Sequence, residues 1–244
     1  MLKMTLLFFV GTLTGFINVL GGGGSFLTLP LLMFFGLPAT IANGTNRIGI
    51  LLQNISAILK YRAAGHFPAK FAIIVSIPTV IGSILGAKFA VMITDKSFTN
   101  YLAIFMFSVT ILTIFNPAKT FKFNNCILHG FVTFIIFFII GLYGGFIQAG
   151  VGFLLLAGTT VLGYDLVKGN AVKVFIVFIL TLAALPVFII SGKIDYMMGI
   201  FLGMGNILGG IIGANFSIKK GVKFIRNFVT ASIIIFSIIL LFSS

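Results

Sequence analysis

Acidic residues are almost missing from this chain of 244 residues, which contains no Glu and only three Asp. Trp is absent as well, and charged residues of both signs make up 8% of the sequence, against about a quarter in a soluble domain. The low charge argues against an ordinary soluble surface. The scarcity of acids argues against an enzyme site or a proton relay that is built on carboxylates.

Sulfur and imidazole ligands are scarce too. The single cysteine, Cys126, excludes an internal disulfide and a cysteine-based metal cluster. The two histidines, His66 and His129, are far apart in the sequence, and each lies near the end of a predicted helix. The sequence therefore predicts no metal site, no cofactor and no enzymatic activity.

Hydrophobic residues fill 59% of the chain, and 30 of them are Phe. Apolar runs of roughly 18 or more residues are typical of membrane-spanning helices, and this chain has several. The net charge of +13 could suit nucleic acid. The basic residues lie in short loops between apolar runs, however, as they do in the cytoplasmic loops of membrane proteins. We therefore predict an all-α, polytopic integral membrane protein that contacts the lipid bilayer and does not bind nucleic acid.

The chain is an internal duplication. We call the interval from Gly36 to Gly163 the repeat offset. When the sequence is aligned with itself at this offset, several glycines align with glycines and asparagines with asparagines, and no gap is needed. The matched pairs also include Asn43 with Asn170, Gly65 with Gly192, Gly82 with Gly209 and Gly86 with Gly213. Similarity at one fixed offset indicates a repeat. We predict a first repeat at 1–118, a cytoplasmic linker at 119–125 and a second repeat at 126–244.

Each repeat contains the same order of segments: an apolar helix, a glycine-rich break, a short apolar segment, a turn and three longer helices. The predicted segments are 4–20, 26–35, 43–61, 69–92 and 98–116, then 127–147, 153–162, 170–190, 196–218 and 225–242. A short segment reaches only about 15 Å, half of a bilayer core of about 30 Å. The short segments are full crossings or arms of re-entrant hairpins, which predicts 8–10 membrane segments in total.

The loop charges predict how the repeats are oriented. Each repeat crosses the membrane an odd number of times, so the second repeat should be inverted relative to the first. With the loop at 60–70 in the cytoplasm, eleven of the sixteen Lys and Arg residues lie at cytoplasmic helix ends, and four, or five with Arg47, lie at outer ends. This bias agrees with the positive-inside rule. We predict a multi-pass protein of the bacterial inner (cytoplasmic) membrane with both termini outside the cytoplasm.

The two glycine-rich breaks are candidate binding segments. Inverted repeats with interrupted helices at matching positions are typical of secondary transporters, whose sites lie near the bilayer midplane. The free N–H groups at the start of the helix that follows a break suit an anion. Close helix packing is the alternative explanation for the glycines. The candidate residues of the breaks are Gly22, Gly23, Gly24, Ser25, Gln148, Gly150 and Gly152.

Polar and cationic residues open the helix after each turn. Asn43 and Asn170 have the residue type of a helix cap, while Arg47 and Lys173 lie about one turn into their predicted helices. A cation in a membrane segment without a carboxylate partner is a candidate functional group, although it could also extend toward the lipid head groups. The candidate substrate-binding residues here are Asn43, Thr45, Asn46, Arg47, Asn170 and Lys173.

The order of these motifs resembles the TauE/SafE family of sulfite exporters. The residues that carry the resemblance are the break and following segment at Gly21–Pro30, the turn at Gly36–Pro38 and the polar stretch at Ala42–Arg47. The pattern recurs in the second repeat and spans nearly the whole chain. The resemblance implies a membrane permease that moves sulfite, sulfoacetate or a related sulfur-containing organic anion.

These observations predict a secondary transporter for a small anion, with its site between the two repeats. Alternating access would come from the rocking of one repeat against the other. An anion channel on the same scaffold is the alternative, and it would show non-saturating flux. The sequence leaves open whether identical copies of the chain assemble into a homo-oligomer.

Overall fold

The computed structural model describes residues 2–115 and 128–242. Throughout this part the chain forms helices, with no strand among the described residues. The helices are α1 (Leu2–Leu20), α2 (Ser25–Phe34), α3 (Ala39–Ala63), α4 (Ala69–Met92), α5 (Asp95–Phe115), α6 (Leu128–Phe146), α7 (Val151–Val161), α8 (Leu166–Ile190) and α9 (Tyr196–Phe242). The predicted linker at 119–125 and Cys126 lie outside the described residues.

The helix bounds of the two halves correspond at the repeat offset. The bounds of α3, shifted by this offset, are those of α8. Gly65 and Gly192 both have positive φ, as do Gly36 and Gly163. Helix α9 bends at Gly221, which also has positive φ. At the repeat offset, Gly221 corresponds to the gap between α4 and α5. The inverted orientation of the second repeat and the bounds of the repeats stay predictions.

The predicted starts of α3 and α8 at residues 43 and 170 are wrong by about one helical turn. The residues that precede the first helical turns are Pro38 and Asp165. The Asp165 carboxylate accepts hydrogen bonds from the backbone N–H groups of Val167 and Lys168, 2.9 and 3.0 Å away, and it thereby caps α8. Asn43 and Asn170 are therefore not caps. They lie one turn inside their helices.

Within the described part of the chain, four helices are long and apolar enough to cross a bilayer, on the criteria of length and composition. They are Leu2–Leu20, Ala69–Met92, Leu166–Ile190 and the first part of α9 at Tyr196–Gly221. Large apolar side chains such as Phe9, Ile77 and Ile190 are exposed, as lipid-facing side chains should be. Helices α2 and α7 have 10 and 11 residues, about half of what a crossing needs. The fold is that of a polytopic membrane protein.

The helices pack into two bundles that do not coincide with the sequence repeats. Helix α1 packs mainly against α9, and α6 packs mainly against α4. Helix α3 also packs against α9, and α8 against α4. We call α1, α2, α3 and residues 196–220 of α9 the first bundle, and α4, α6, α7 and α8 the second bundle. Each bundle thus contains a helix from the other repeat, and α3 meets α8 between the bundles.

Glycines allow the closest helix crossings within each bundle. A Cβ atom on Gly82 or Gly86 would overlap the α6 backbone, and a Cβ atom on Gly209 would overlap the α1 backbone at Thr12. Small residues let membrane helices approach at backbone distance. The structure thus assigns Gly82, Gly86 and Gly209 a packing role.

Candidate functional site

The two glycine-rich breaks touch each other in the centre of the protein. Gly22, with φ of +100°, lies against Gly152 at the start of α7. The rings of Phe26 and Phe153, which correspond at the repeat offset, face each other with centroids 6.3 Å apart. The breaks therefore form one central crossing, where backbone meets backbone because the residues in contact have no side chains.

We expect Gly152→Ala to lower the stability of the protein markedly. A Cβ atom at this position would come within 2.5 Å of Gly22 Cα and 3.3 Å of Lys173 Cδ. Overpacking of this kind costs about 1–3 kcal/mol. Thermal unfolding of the purified protein in detergent measures the effect.

Gly158→Ala is the matched control for Gly152→Ala because it lies in the same helix. A Cβ atom at Gly158 would meet only the side chains of Ile140 and Phe137, both at 3.9 Å. Ala is favoured over Gly in a helix by about 0.5–1 kcal/mol, so this variant should be at least as stable as the wild type. Equal stability of the two variants would contradict the backbone contact between the breaks.

Arg47 binds the carboxyl end of α6. Its Nη2 atom donates hydrogen bonds to the backbone oxygens of Gly145 at 2.5 Å and Gly144 at 3.2 Å. The guanidinium lies over the ring of Phe188, 4.4 Å from its centroid. Asn43 Nδ2 donates to the backbone oxygen of Phe146 at 2.8 Å. The last carbonyl groups of a helix lack partners within the helix and carry partial negative charge, so α3 satisfies the end of α6 that precedes the second break.

Lys173 binds the carboxyl end of α1 in the corresponding way. Its Nζ atom donates to the backbone oxygens of Val19 at 2.6 Å and Asn18 at 3.0 Å. Each buried cation therefore satisfies the end of the broken helix in the other repeat. The two cations also bridge the bundles, because Arg47 extends from the first bundle to the second and Lys173 from the second to the first.

Neither cation extends toward lipid head groups. Arg47 lies two turns after the start of α3, about 12 Å along the helix, and its exposed fraction is 0%. Lys173 lies about two turns into α8 and is 1% exposed. The expectation that both cations lie one turn into their helices is therefore wrong, and the alternative in which they reach the membrane surface is excluded.

Among the residues that the structure describes, no carboxylate neutralises either cation. The structure describes all three acidic residues of the chain, and each of them has other partners. Asp95 accepts hydrogen bonds from Thr40, Asp165 caps α8, and Asp195 accepts from the N–H group of Met198. Within the described residues, the two positive charges are therefore offset only by backbone oxygens and by the ring of Phe188.

A network of polar side chains surrounds the first break. Asn18 Oδ1 accepts from the N–H group of Gly24 at 2.7 Å, and Asn18 Nδ2 donates to Gln53 Oε1 at 3.3 Å. Asn46 donates to Ser25 Oγ at 3.2 Å and accepts from Thr28 Oγ1 at 2.8 Å. These bonds attach the first break and the start of α2 to α1 and α3.

The second break is built differently. The positions that correspond to Asn18 and Ser25 are Gly145 and Gly152, so the network has no copy there. Gln148 has φ of +67°, a backbone region that side chains rarely adopt, and its Nε2 atom donates to Thr181 Oγ1 at 2.5 Å. Gly150, with φ of +75°, precedes the first turn of α7. The two breaks are therefore not equivalent sites.

The structure brings most of the predicted site residues to the central crossing. Two differ from the rest: Thr45 binds a loop outside the crossing, and the side chain of Asn170 has no described partner. Thr45 Oγ1 accepts from the N–H group of Asp195 at 2.9 Å, so Thr45 holds the loop between α8 and α9. Asn170 is fully buried, and its side chain has no hydrogen-bond partner in the part of the chain that the structure describes. The carbonyl oxygen of Gly23 accepts from the N–H group of Phe26 in the first turn of α2.

The sequence prediction missed three residues that shape the site. Asn18 organises the first break, Phe188 supports the Arg47 guanidinium, and Thr181 holds Gln148. Asn18 had a visible signal, because it is a lone amide close to the end of an apolar helix. Phe188 and Thr181 had none, since a Phe or a Thr in an apolar membrane helix is ordinary.

Broken helices that cross inside a helical membrane fold, beside two buried cations that no described carboxylate neutralises, are typical of a membrane transport protein. The chain belongs to the sulfite exporter TauE/SafE family, whose model matches residues 7–240. The match covers both breaks and both cations, and it extends from α1 into α9.

Three bacterial relatives are similar over most of their length. The probable membrane transporter protein of Haemophilus influenzae is 28% identical over 93% of this chain and 89% of its own length. The probable membrane transporter protein ORF9 of Sinorhizobium is 27% identical over 91% of this chain and 86% of its own length. The probable membrane transporter protein YfcA of Escherichia coli K12 is 27% identical over 100% of this chain and 91% of its own length. No solved structure matches the chain significantly.

Proposed function

We propose that this protein is a secondary transporter that moves a small anion, with sulfite or an organosulfonate as the favoured substrate, across the bacterial cytoplasmic membrane by alternating access. The central crossing of the two breaks and the buried cations form the site. The family name supports a sulfur oxyanion as the substrate. The excess of basic residues in the loops assigned to the cytoplasm supports both termini lying outside it.

One observation carries the proposal: Arg47 is fully buried, and part of its guanidinium is unused. Its Nε and Nη1 atoms have no hydrogen-bond partner among the residues that the structure describes. A charged side chain at the centre of a bilayer costs about 2.5–3.5 kcal/mol or more unless it is compensated. An oxyanion supplies this compensation, because each open N–H group of the guanidinium can donate a charge-assisted hydrogen bond to an oxyanion oxygen. An electroneutral substrate would leave the charge without a counterpart.

The packing supports a particular form of alternating access. The rocking bodies would be the two bundles and not the two sequence repeats, because each bundle takes a helix from the other repeat. Arg47 and Lys173 bridge the bundles by binding the ends of α6 and α1. An anion that competes with these carbonyl groups for the cations would weaken the bridges, so substrate binding would favour the movement of the bundles.

Counterflow in proteoliposomes tests the proposed function. Liposomes that contain the purified protein and are preloaded with unlabelled sulfite should accumulate labelled sulfite faster than liposomes without a preload, and the uptake should saturate. Trans-stimulation requires a carrier that returns with bound substrate. Flux that rises linearly with concentration, without trans-stimulation, would establish an anion channel on the same scaffold. Absence of any protein-dependent flux would contradict both functions.

A further inference from the structure

Both hydrogen-bond donors and hydrogen-bond acceptors lack partners around the carboxyl end of α6. They are two donors, Arg47 Nε and Nη1, and two acceptors, Asn43 Oδ1 and Gln148 Oε1, which have no partner within the described part of the chain. We call them the four open atoms. The exposed fraction of each of these side chains is 1% or less. Buried polar atoms usually have partners, so a cluster of four indicates a ligand that supplies both donors and acceptors.

Two of the three side chains contact residues 144–146, and the third, Gln148, follows in the same segment of the chain. Arg47 contacts the backbone oxygens of Gly144 and Gly145, Asn43 contacts the backbone oxygen of Phe146, and Gln148 follows shortly after in the chain. The cluster therefore lies where α6 ends and the second break begins. Lys173 also passes beside the second break, because its Cδ atom lies 3.3 Å from the position of a Cβ atom on Gly152, but its Nζ atom donates to the carboxyl end of α1.

The remaining bonds of the two amides establish that their open atoms are acceptors. The partner of Asn43 is a backbone carbonyl, which only accepts, so the amide nitrogen faces it and the oxygen is left open. The partner of Gln148 is Thr181 Oγ1, whose single hydrogen is donated to the backbone oxygen of Val177. The hydroxyl therefore accepts from Gln148 Nε2, and Gln148 Oε1 is left open.

We propose that the site at the second break selects a singly charged oxyanion that also carries its own hydrogen-bond donor, an O–H or N–H group. This inference rests on the proposed transport function and names the class of anion that the site takes. Arg47 Nε or Nη1 donates to an oxyanion oxygen, and Asn43 Oδ1 or Gln148 Oε1 accepts from the donor of the substrate. A fully deprotonated oxyanion offers only lone pairs, which would face the amide oxygens and be repelled.

The charge around the cluster favours a single negative charge. Arg47 is the one cation that contacts this end of α6 among the described residues, and α6 itself ends there with the partial negative charge of its dipole. A dianion would bring a second negative charge, and the ammonium group of Lys173 already donates to the carboxyl end of α1. For an oxyanion that titrates near neutral pH, such as sulfite, the protonated monoanion is therefore the form that binds.

The matched probes are 2-hydroxyethanesulfonate and ethanesulfonate, which have the same charge and nearly the same size and differ by one O–H group. In competition with labelled sulfite for counterflow, the hydroxy compound should inhibit about tenfold more strongly, because a buried acceptor left without a partner costs about that factor. Equal inhibition by the matched pair, or stronger inhibition by ethanesulfonate, would overturn the proposal.

A pH series tests a donor that belongs to the oxyanion itself. The apparent affinity for total sulfite should rise as the pH falls and hydrogensulfite replaces sulfite, and sulfate, which stays a dianion, should not compete. An affinity that rises with pH would show that the dianion is preferred and would overturn the proposal while leaving transport established. Absence of saturable flux with every probe and at every pH would instead overturn the proposed function, and this inference with it.

Gln148→Leu tests the acceptor directly. The substitution leaves no orphaned group at Thr181, whose hydroxyl still donates to the backbone oxygen of Val177, so the variant should fold. Inhibition by ethanesulfonate should then approach that by 2-hydroxyethanesulfonate, while the dependence on Arg47 is retained. An unchanged tenfold preference in both Gln148→Leu and Asn43→Leu would assign the selectivity to other residues and overturn the proposal.

Discussion

Replacement of Arg47 with glutamine should reduce saturable sulfite uptake into proteoliposomes by about 100-fold or more. The variant loses the charge and both open donors, and a hydrogen bond to a charged group contributes about 1.5–3 kcal/mol. The upper end of this range corresponds to about two powers of ten in binding. The initial rate of counterflow at several sulfite concentrations measures the loss.

Two further variants separate substrate binding from a general disturbance of the fold. Arg47→Lys keeps a positive charge for the end of α6 but replaces the guanidinium fork with a single ammonium group, so it should fold normally and transport poorly. Lys168→Gln removes a cation whose side chain is 52% exposed, and it should transport like the wild type. Normal uptake by a well-folded Arg47→Gln protein would remove Arg47 from the site.

A covalent link within one bundle should leave transport intact, whereas a link between the bundles should abolish it. The ring of Phe16 on α1 lies 5.7 Å from that of Phe216 on α9, inside the first bundle. The ring of Phe26 on α2 lies 6.3 Å from that of Phe153 on α7, between the bundles. Each pair can be replaced by cysteines in a Cys126→Ser background and joined with a membrane-permeant bifunctional thiol reagent.

The link between Phe16 and Phe216 distinguishes the two descriptions of the moving parts. It joins the first sequence repeat to the second, so it would block transport if the repeats rocked as units. It should be harmless if the bundles move. Cysteine pairs without reagent, and single cysteines with reagent, control for the substitutions and for modification alone. Loss of counterflow in the Phe16–Phe216 pair after linking would contradict the bundle mechanism.

The regular features of the fold were predictable from the sequence because each has a local cause. Long apolar runs can be read directly from the sequence. The repeat offset aligns the glycines that follow helix ends, such as Gly65 and Gly192. The breaks were visible because four consecutive glycines cannot sustain a membrane helix. Arg47 and Lys173 stood out because charges are rare in such segments.

Contacts between distant segments were not predictable. Nothing local indicates that Arg47 satisfies the end of α6 in the other repeat, or that α1 packs against α9. The early start of α3 was missed because Asn43 has the residue type of a cap, whereas the preceding Pro38 begins the helix without a side-chain bond. The open oxygen atoms of Gln148 and Asn43 can be identified only when the hydrogen-bond partner of each amide nitrogen is known from the structure.

The exchange of helices between the bundles also shapes how the protein is made. Helix α1 finds its main packing partner in α9, which the ribosome produces only after α2 to α8. Until α9 is made, α1 therefore lacks its main packing partner, and its contacts within the first repeat are the smaller ones with α2 and α3. The ends of α1 and α6 depend on cations that come from the opposite repeat. Neither repeat completes its own interior by itself, so we expect the packing of both bundles to finish only when the last helices arrive.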